Sequence, residues 1–417
     1  MLFFILWYKI EVTFKQELIM RFTKEEAMDF IRENNVKFIR LAICDIFGNQ
    51  KNISIMPTEL ERAFERGFGF DATAINGFAD AGHPDLFLFP DPDTLTLLPW
   101  RPTQGRVVRF FCNIRYADGR PFELDTRYML QQAVERAKNM GIRLSVGSEC
   151  EFYLFKADEE GNATDIPLDN AGYMDVAPLD RGENIRREIC LTLEEMGITP
   201  LSSHHEEGPG QNEIDFRYSN PLCSADDVIT FRMVVRTLAA RSGLYADFGP
   251  KPLKDKCGNG YHIDIAPIKI GSEITDEGVA DSFMAGILAR IREISAFLNP
   301  AKESYDRIGT YKAPKYIAWA KEGRNRLMRV IPFDGKYKRV ELRSPDSLAN
   351  PYLALALIIH AGLDGIEKDM KLCSPFDGNT DTPEQLPASL TEALELAEES
   401  EFVSRYIPER ILTEYSI

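Results

Sequence analysis

The sequence has no cysteine pair at CxxC spacing, and its seven cysteines are an odd number, which argues against both a disulfide framework and a zinc knuckle. A long apolar run is also missing. The opening stretch Met1 to Tyr8 is apolar but far shorter than the roughly 20 residues that a membrane crossing needs, and no small-residue cleavage site follows it. No membrane segment is expected. Basic residues are in the minority, 49 Lys and Arg against 65 Asp and Glu, so a formal charge of −16 repels nucleic acid and anionic membranes. A cytoplasmic location fits this composition. Histidine is scarce, five in 417 residues, and the chain contains no internal repeat or low-complexity tract.

The length exceeds what one hydrophobic core usually fills, so two domains of unequal size are expected. Because Met20 stands directly before a capped-helix signal, residues 1–19 read as a disordered or artefactual extension. Thr23 with Glu26 three positions on is a capping box, and Ala27, Phe30 and Ile31 recur at helical spacing. Strands follow over 38–46, 51–55, 85–91, 94–100 and 107–114, with a turn at Phe47 to Gln50. The sequence places a small, mostly β domain at 20–104 and a larger domain at 105–417. In the latter, periodicity predicts helices over 126–140, 225–242, 282–298 and 352–368, a strand over 143–155, a loop over 374–387, and one or two short closing helices. Helices and strands alternate irregularly, which fits α+β better than a doubly wound sheet.

Four short strand-like segments, 146–155, 204–215, 258–264 and 339–346, gather acidic residues at alternate positions together with three of the five histidines. Side chains of an extended strand alternate faces, so Glu149 and Glu151 share one side while Phe152 and Leu154 pack on the other. The same rule unites Gln211, Glu213 and Asp215, and likewise Arg339, Glu341 and Arg343. Paired acids on one strand are usually a solvated face. Four such segments in one chain point instead to a polyvalent cation. Carboxylates with one imidazole, and no thiol at ligand spacing, suit Mg²⁺ or Mn²⁺ better than zinc. Adjacent residues point opposite ways, so at most one of His204 and His205 reaches such a site. His360 lies in an apolar helix and reads as structural, and His83 receives no role. Arg307, Arg326, Arg329, Arg339 and Arg343 fall within fewer than forty residues, and guanidinium forks suit an anionic substrate and a transferring phosphoryl group.

These motifs, in this order, resemble those of class I glutamine synthetases. Phe70 to Phe78 is similar to the family's FDGSSI-type loop, 146–155 to its GPExEF strand, and His205-Glu206 through Gln211-Asn212-Glu213 to its HHEvapGQNE segment. Gly258 to His262 resembles its GSGMH loop, Arg324-Asn325-Arg326 its RNR block, and Arg339 to Arg343 with Ala349 to Leu353 its RxExR and ANPYL blocks. The resemblance runs from about Phe22 to the C-terminus. It implies a small N-terminal β-grasp domain and a large catalytic α+β domain with a curved antiparallel sheet. It implies that Glu151, Glu206 and Glu213 hold one divalent cation, and Glu149, His262 and Glu341 a second. Arg307 and Arg343 would clasp glutamate, with Gly258 in the same substrate site, and Arg326 and Arg329 would neutralise the phosphoryl group. Tyr218, Lys336 and Arg339 fall where the family contacts ATP, and Asp71 and Asp85 match acids of its ammonium site. The implied reaction joins glutamate and ammonium through γ-glutamyl phosphate, in a double-ring dodecamer whose sites lie between neighbouring subunits.

Several positions depart from that pattern. The segment Ser304 to Pro314 is one residue short, and Lys312 falls where the family has its gating glutamate. A lysine reverses the charge there and, protonated near neutrality, is a poor general base. Asp264 and Ala266 replace the family's second histidine and serine near the nucleotide, Cys257 replaces an asparagine, and two residues are missing between Arg326 and Arg329. The segment carrying a regulatory tyrosine in some relatives is missing too. Three readings result: a glutamate–ammonia ligase, a γ-glutamyl ligase that uses a primary amine, and a catalytically silent homologue. The intact set of six cation ligands opposes the last, since buried carboxylates without cations are costly.

Overall fold

The computed structural model describes residues 22–78, 85–101, 103–321, 323, 325–333, 337–376 and 382–416. Residues 1–21, His83 and Lys336 lie outside this set, as does the middle of the expected 374–387 loop. Two compact units emerge. Among the described residues the first reaches to Ile43, adds Lys51–Ala72 and residues 85–121, and the second takes Cys44–Gln50, residues 73–78 and the chain from Phe122 onward.

In the first unit, helix α1 (Lys24–Glu33) opens with the expected capping box, Thr23 accepting from the Glu26 amide while the Glu26 carboxylate accepts from the Thr23 amide. Strands β1 (Val36–Cys44), β2 (Gln50–Ile55), β3 (Phe68–Asp71), β4 (Asp85–Pro90) and β6 (Arg106–Arg115) run in the order β2-β1-β6-β4-β3, and β5 (Thr96–Leu97) pairs with β6. Helix α2 (Leu60–Arg66) joins β2 to β3. β6 pairs in parallel with β1, Ile39 against Val108 and Leu41 against Phe110. The unit boundary is therefore at 121, not at 104. The chain near Gly105 is a loop between two paired strands, not a linker.

Among the described residues the second unit is built on nine strands: β7 (Ile142–Ala157), β8 (Ala163–Pro167), β9 (Pro200–His205), β10 (Gln211–Phe216), β11 (Leu244–Asp247), β12 (Tyr261–Lys269), β13 (Trp319–Ala320), β14 (Met328–Phe333) and β15 (Tyr337–Leu342). Their order is β13-β14-β15-β12-β7-β10-β9, with β8 and β11 also on β7. The pairs are antiparallel except β13 with β14, which makes the sheet mixed rather than wholly antiparallel as expected.

Helices α3 (Thr126–Asn139), α4 (Glu183–Glu195), α5 (Pro221–Arg241), α6 (Glu277–Leu298), α7 (Lys302–Arg307) and α8 (Pro351–Glu367) complete the unit. Three short helices close the chain, α9 (Leu390–Glu398), α10 (Glu401–Tyr406) and α11 (Glu409–Tyr415), one more than the sequence suggests. The apolar side of β7 packs on α5, Phe152 meeting Phe231 edge to face at 5.8 Å between ring centroids. Its other side is thereby left to Glu149 and Glu151. α8 is buried on every side from Pro351 to Gly365, as a helix apolar all round must be. Its His360 stacks on Tyr406 at 3.6 Å, the structural role expected of it.

α8 crosses α6 where both are glycine. A Cβ at Gly365 would overlap the Ser282 carbonyl and lie 2.7 Å from the Gly286 amide nitrogen, so the two backbones touch. Gly365→Ala is expected to lower the thermal unfolding midpoint, at a cost of roughly 1–3 kcal/mol for overpacking. An unchanged midpoint would mean that the crossing is looser than described.

Candidate active site

Strand register, more than closeness along the chain, assembles the site. On β7, Glu149 lies opposite His262 of β12 on one side and Asp215 of β10 on the other, and Glu151 lies opposite Glu213. Glu213 in turn faces His204 of β9, and Glu341 of β15 stands between Asp264 of β12 and Arg329 of β14. Directly opposed residues share a face. One side of six neighbouring strands thus becomes an acidic surface lining a cavity of about 380 Å³. All six residues expected to hold cations line it, together with Arg307, Arg329, Arg343 and Gly258.

His262 Nδ1 is 3.1 Å from Glu149 Oε2 and 3.9 Å from Glu341 Oε1. These three residues place potential ligand atoms within 4.8 Å of one another, the trio expected for one cation. The other trio is divided: Glu151 groups with Glu213 and His262, while Glu206 groups with Glu213 and His204. Glu213 belongs to both groups. Glu151 Oε2 accepts from the Gly260 amide at 2.8 Å and from Gln211 Nε2 at 3.1 Å. Glu341 is held by Arg343 Nη1 and by Arg329 Nε at 2.8 Å. Buried Arg307 donates to the carbonyls of Ser344 (2.9 Å) and Arg343 (3.3 Å), tying α7 to the end of β15.

The turn between β9 and β10 is fastened from behind. His205 points away from the cavity, with Nε2 2.9 Å from Asp169 Oδ1 and Nδ1 2.7 Å from the Glu206 carbonyl. Only His204 of the tandem pair lines the cavity, as alternation requires. Asp169, Asp180 and His205 also have metal-like spacing. Protein donors occupy them instead: Asp169 accepts from the amides of Ala171, Arg181 and Gly210, and Asp180 from Arg186 and the Gly182 amide. This cluster braces the turn that carries Glu206.

Crowding moves the protonation equilibria. Burial and then the Glu206 charge raise the Glu151 carboxyl above its usual range, burial and then Glu151 raise Glu213 well above it, and burial with Glu149 raises Asp215. For Glu206 burial pushes upward too, but hydrogen bonds with His204, Glu213 and the Glu207 amide outweigh it and hold the group low. Burial and then Arg343 drive His262 well below its ordinary value, leaving the neutral imidazole that metals bind. Crowding thus favours the protonated forms of Glu151, Glu213 and Asp215. Asp215 Oδ1 and Asp264 Oδ1 are buried and take no hydrogen bond from the described residues. A carboxylate-rich set with a neutral imidazole fits a hard divalent cation.

Other expected residues lie elsewhere. Tyr218 donates to Asp264 Oδ2 and accepts from Arg339 Nη1 at 2.7 Å, and none of these three residues lines the cavity. Burial and then Glu149 raise Asp264 to about 7. Arg326 does not line the cavity either; it lies 4.8 Å from the Phe376 ring centroid and donates to Asn325. Asp71 and Asp85 belong to the first unit, where they oppose each other across β3 and β4, both exposed. The cavity adds residues to which the sequence reading gives no role. Alternation puts Asp215 on this face without assigning it a task, while Tyr173 and Glu207 sit on loops that carry no periodic signal.

Residues 123–417 match the model of the family described as glutamine synthetase, catalytic domain, and residues 35–117 that of glutamine synthetase, beta-Grasp domain. The chain is 41% identical over 414 residues to the glutamine synthetase of Clostridium saccharobutylicum, covering 95% of this chain and 94% of that protein. It is 40% identical over 412 residues to that of Methanosarcina mazei, covering 94% and 92%. Among solved structures, a GmaS/ADP complex superposes with a TM-score of 0.84 at 28% identity, covering 94% of both chains. The Plasmodium falciparum glutamine synthetase does so with a TM-score of 0.86 at 22% identity, also over 94% of both, a likeness of fold. Since both family models match in order and the relatives align over nearly its whole length, the chain belongs to the glutamine synthetase family.

Proposed function

We propose that the chain is a glutamate–ammonia ligase, forming glutamine from glutamate and ammonia with conversion of ATP to ADP and phosphate. The observation that carries this reading is the gathering of six glutamates, among them the five expected to hold cations, with His262 and three arginines around one cavity. Two divalent cations, Mg²⁺ or Mn²⁺, one on Glu149, His262 and Glu341 and one on Glu151, Glu206 and Glu213, would neutralise the phosphates of ATP.

The chain's own groups do the rest. Arg329 and Arg343 face the cavity and supply positive charge where the phosphoryl group passes, and Arg307 and Arg343 fit the carboxylates of glutamate. The side-chain carboxylate of glutamate attacks the γ-phosphorus in line and ADP leaves. Ammonia then attacks the acyl carbon of γ-glutamyl phosphate, and phosphate leaves with the former carboxylate oxygen. Tyr218, Arg339 and Lys336 are assigned to the nucleotide and Arg326 to the phosphoryl group; the relative solved with ADP supports a nucleotide partner. The same reading makes the protein a double-ring dodecamer in which Asp71 and Asp85 serve a neighbouring subunit's ammonium site.

A second reading, a γ-glutamyl ligase acting on a primary amine, is favoured by one observation. Lys312, a cation, lines the cavity on the segment between α7 and β13.

Two outcomes test the assignment. Phosphate release dependent on ATP and glutamate is expected with ammonium and to be weaker with methylamine or ethylamine; turnover with the amines but none with ammonium would transfer the assignment to the second reading. Glu341→Ala is expected to cut phosphate release at least about a hundredfold, because a cation ligand and the partner of two arginines is lost together. Near-wild-type release would place the chemistry elsewhere.

A further inference from the structure

Glu207 and Lys312 form an ion pair at the mouth of the cavity, Lys312 Nζ against Glu207 Oε1. Glu207 directly follows Glu206 on the braced turn, where its amide donates to Glu206 Oε2 at 3.0 Å. Its other oxygen, Oε2, accepts from Cys257 Sγ at 3.4 Å. Lys312 is on the segment leaving α7, which Thr310 anchors by donating from Oγ1 to the Arg307 carbonyl at 2.7 Å. The next residue, Tyr311, takes a left-handed backbone (φ 51°), and its hydroxyl donates to the Asp255 carbonyl at 2.7 Å. The Lys312 ammonium also lies 5.1 Å from the centroid of the Tyr173 ring. Carboxylate on one side and ring on the other hold a primary ammonium group at the cavity entrance.

Seven carboxylates line the cavity, and among the described residues Glu207 is the one that enters no group with metal-ligand spacing. It is also within reach of solvent, its side chain 32% exposed and that of Lys312 42%. An ion pair so exposed is weak and exchanges readily. Ammonium and small alkylamines are cations near neutral pH, and in this cavity Glu207 offers them a carboxylate that belongs to neither of the two expected cation trios and whose exposed partner can exchange.

We propose that Glu207 binds the cationic nitrogen donor, and that Lys312 occupies this seat until the donor displaces it. The inference rests on the ligase reading above and names its donor class, ammonium or a short primary alkylammonium. The Lys312 side chain shows the contacts that such a group makes there. Tyr173, Met174 and Ala313 also line this part of the cavity and leave apolar surface for a short alkyl group.

The test is the KM for ammonium, and for methylammonium, in the phosphate-release assay with Glu207→Gln, Glu207→Asp and Lys312→Met. Glu207→Gln is expected to raise the donor KM about fivefold with the KM for glutamate within twofold, and Lys312→Met to lower the donor KM about threefold, the scale of an exposed charge pair. Glu207→Asp, which keeps the charge, should stay close to wild type. The proposal is overturned if Glu207→Gln leaves the donor KM unchanged or moves the glutamate KM equally, or if Lys312→Met raises the donor KM. Failure of the ligase reading looks different, since wild-type protein would then release no phosphate with any donor. In that case saturation-transfer NMR of methylammonium decides: signal strongest in Lys312→Met and lost in Glu207→Gln supports the seat, and equal signal in all three proteins removes it.

Discussion

Mutual repulsion among seven carboxylates facing one cavity sets the terms for the rest of the second unit. Two like charges 4 Å apart cost about 4 kcal/mol at an effective dielectric near 20, and carboxylate oxygens of Glu149 and Glu341, and of Glu151 and Glu213, lie within 4.8 Å of each other. Three responses are visible in the structure. Arg329 and Arg343 grip Glu341, His204 sits against Glu206 and Glu213, and Glu151 and Glu213 shift toward their protonated forms. Each offsets part of the repulsion that a divalent cation bound among these carboxylates would neutralise.

An antiparallel sheet can impose that crowding because its register is fixed from the other face. Phe152, Phe216 and Phe231 interlock at ring separations of 5.0–5.8 Å, and a slip of one residue would turn this apolar set out and the acids in. Burial energy on one side therefore holds charges together on the other. The turn joining β9 to β10, which no ladder restrains, is secured through Asp169, His205 and Gly210 instead. The ion pair of Glu207 and Lys312, by contrast, is partly exposed.

Much of this was legible in the sequence, and the pattern of what was not is physical. Glu149, His262 and Glu341 could be singled out because each is an acid or imidazole at strand-like alternation, and residue type carries the chemistry. Which strand pairs with which is a long-range property. Alternation alone could not show that Asp264 would oppose Glu341, or that β6 would pair in parallel with β1 and carry the first unit to Pro121. The parallel β13–β14 pair and the third closing helix escaped for the same reason or through brevity. Glu207 and Lys312 lie on irregular segments far apart in the chain, so neither period nor spacing hints at their contact. Lys312 drew attention only as a departure from the family pattern, and Glu207 drew none.

The central claim is that these carboxylates converge to hold divalent cations, and calorimetric titration with Mn²⁺ at pH 7 in two buffers of different ionisation enthalpy tests it most directly. Because Glu151 and Glu213 are raised toward protonation, filling the site should displace protons. The account predicts two ions per chain and a binding heat that changes with the buffer in the sense of proton release. Absence of binding, or binding with no proton release, would contradict it.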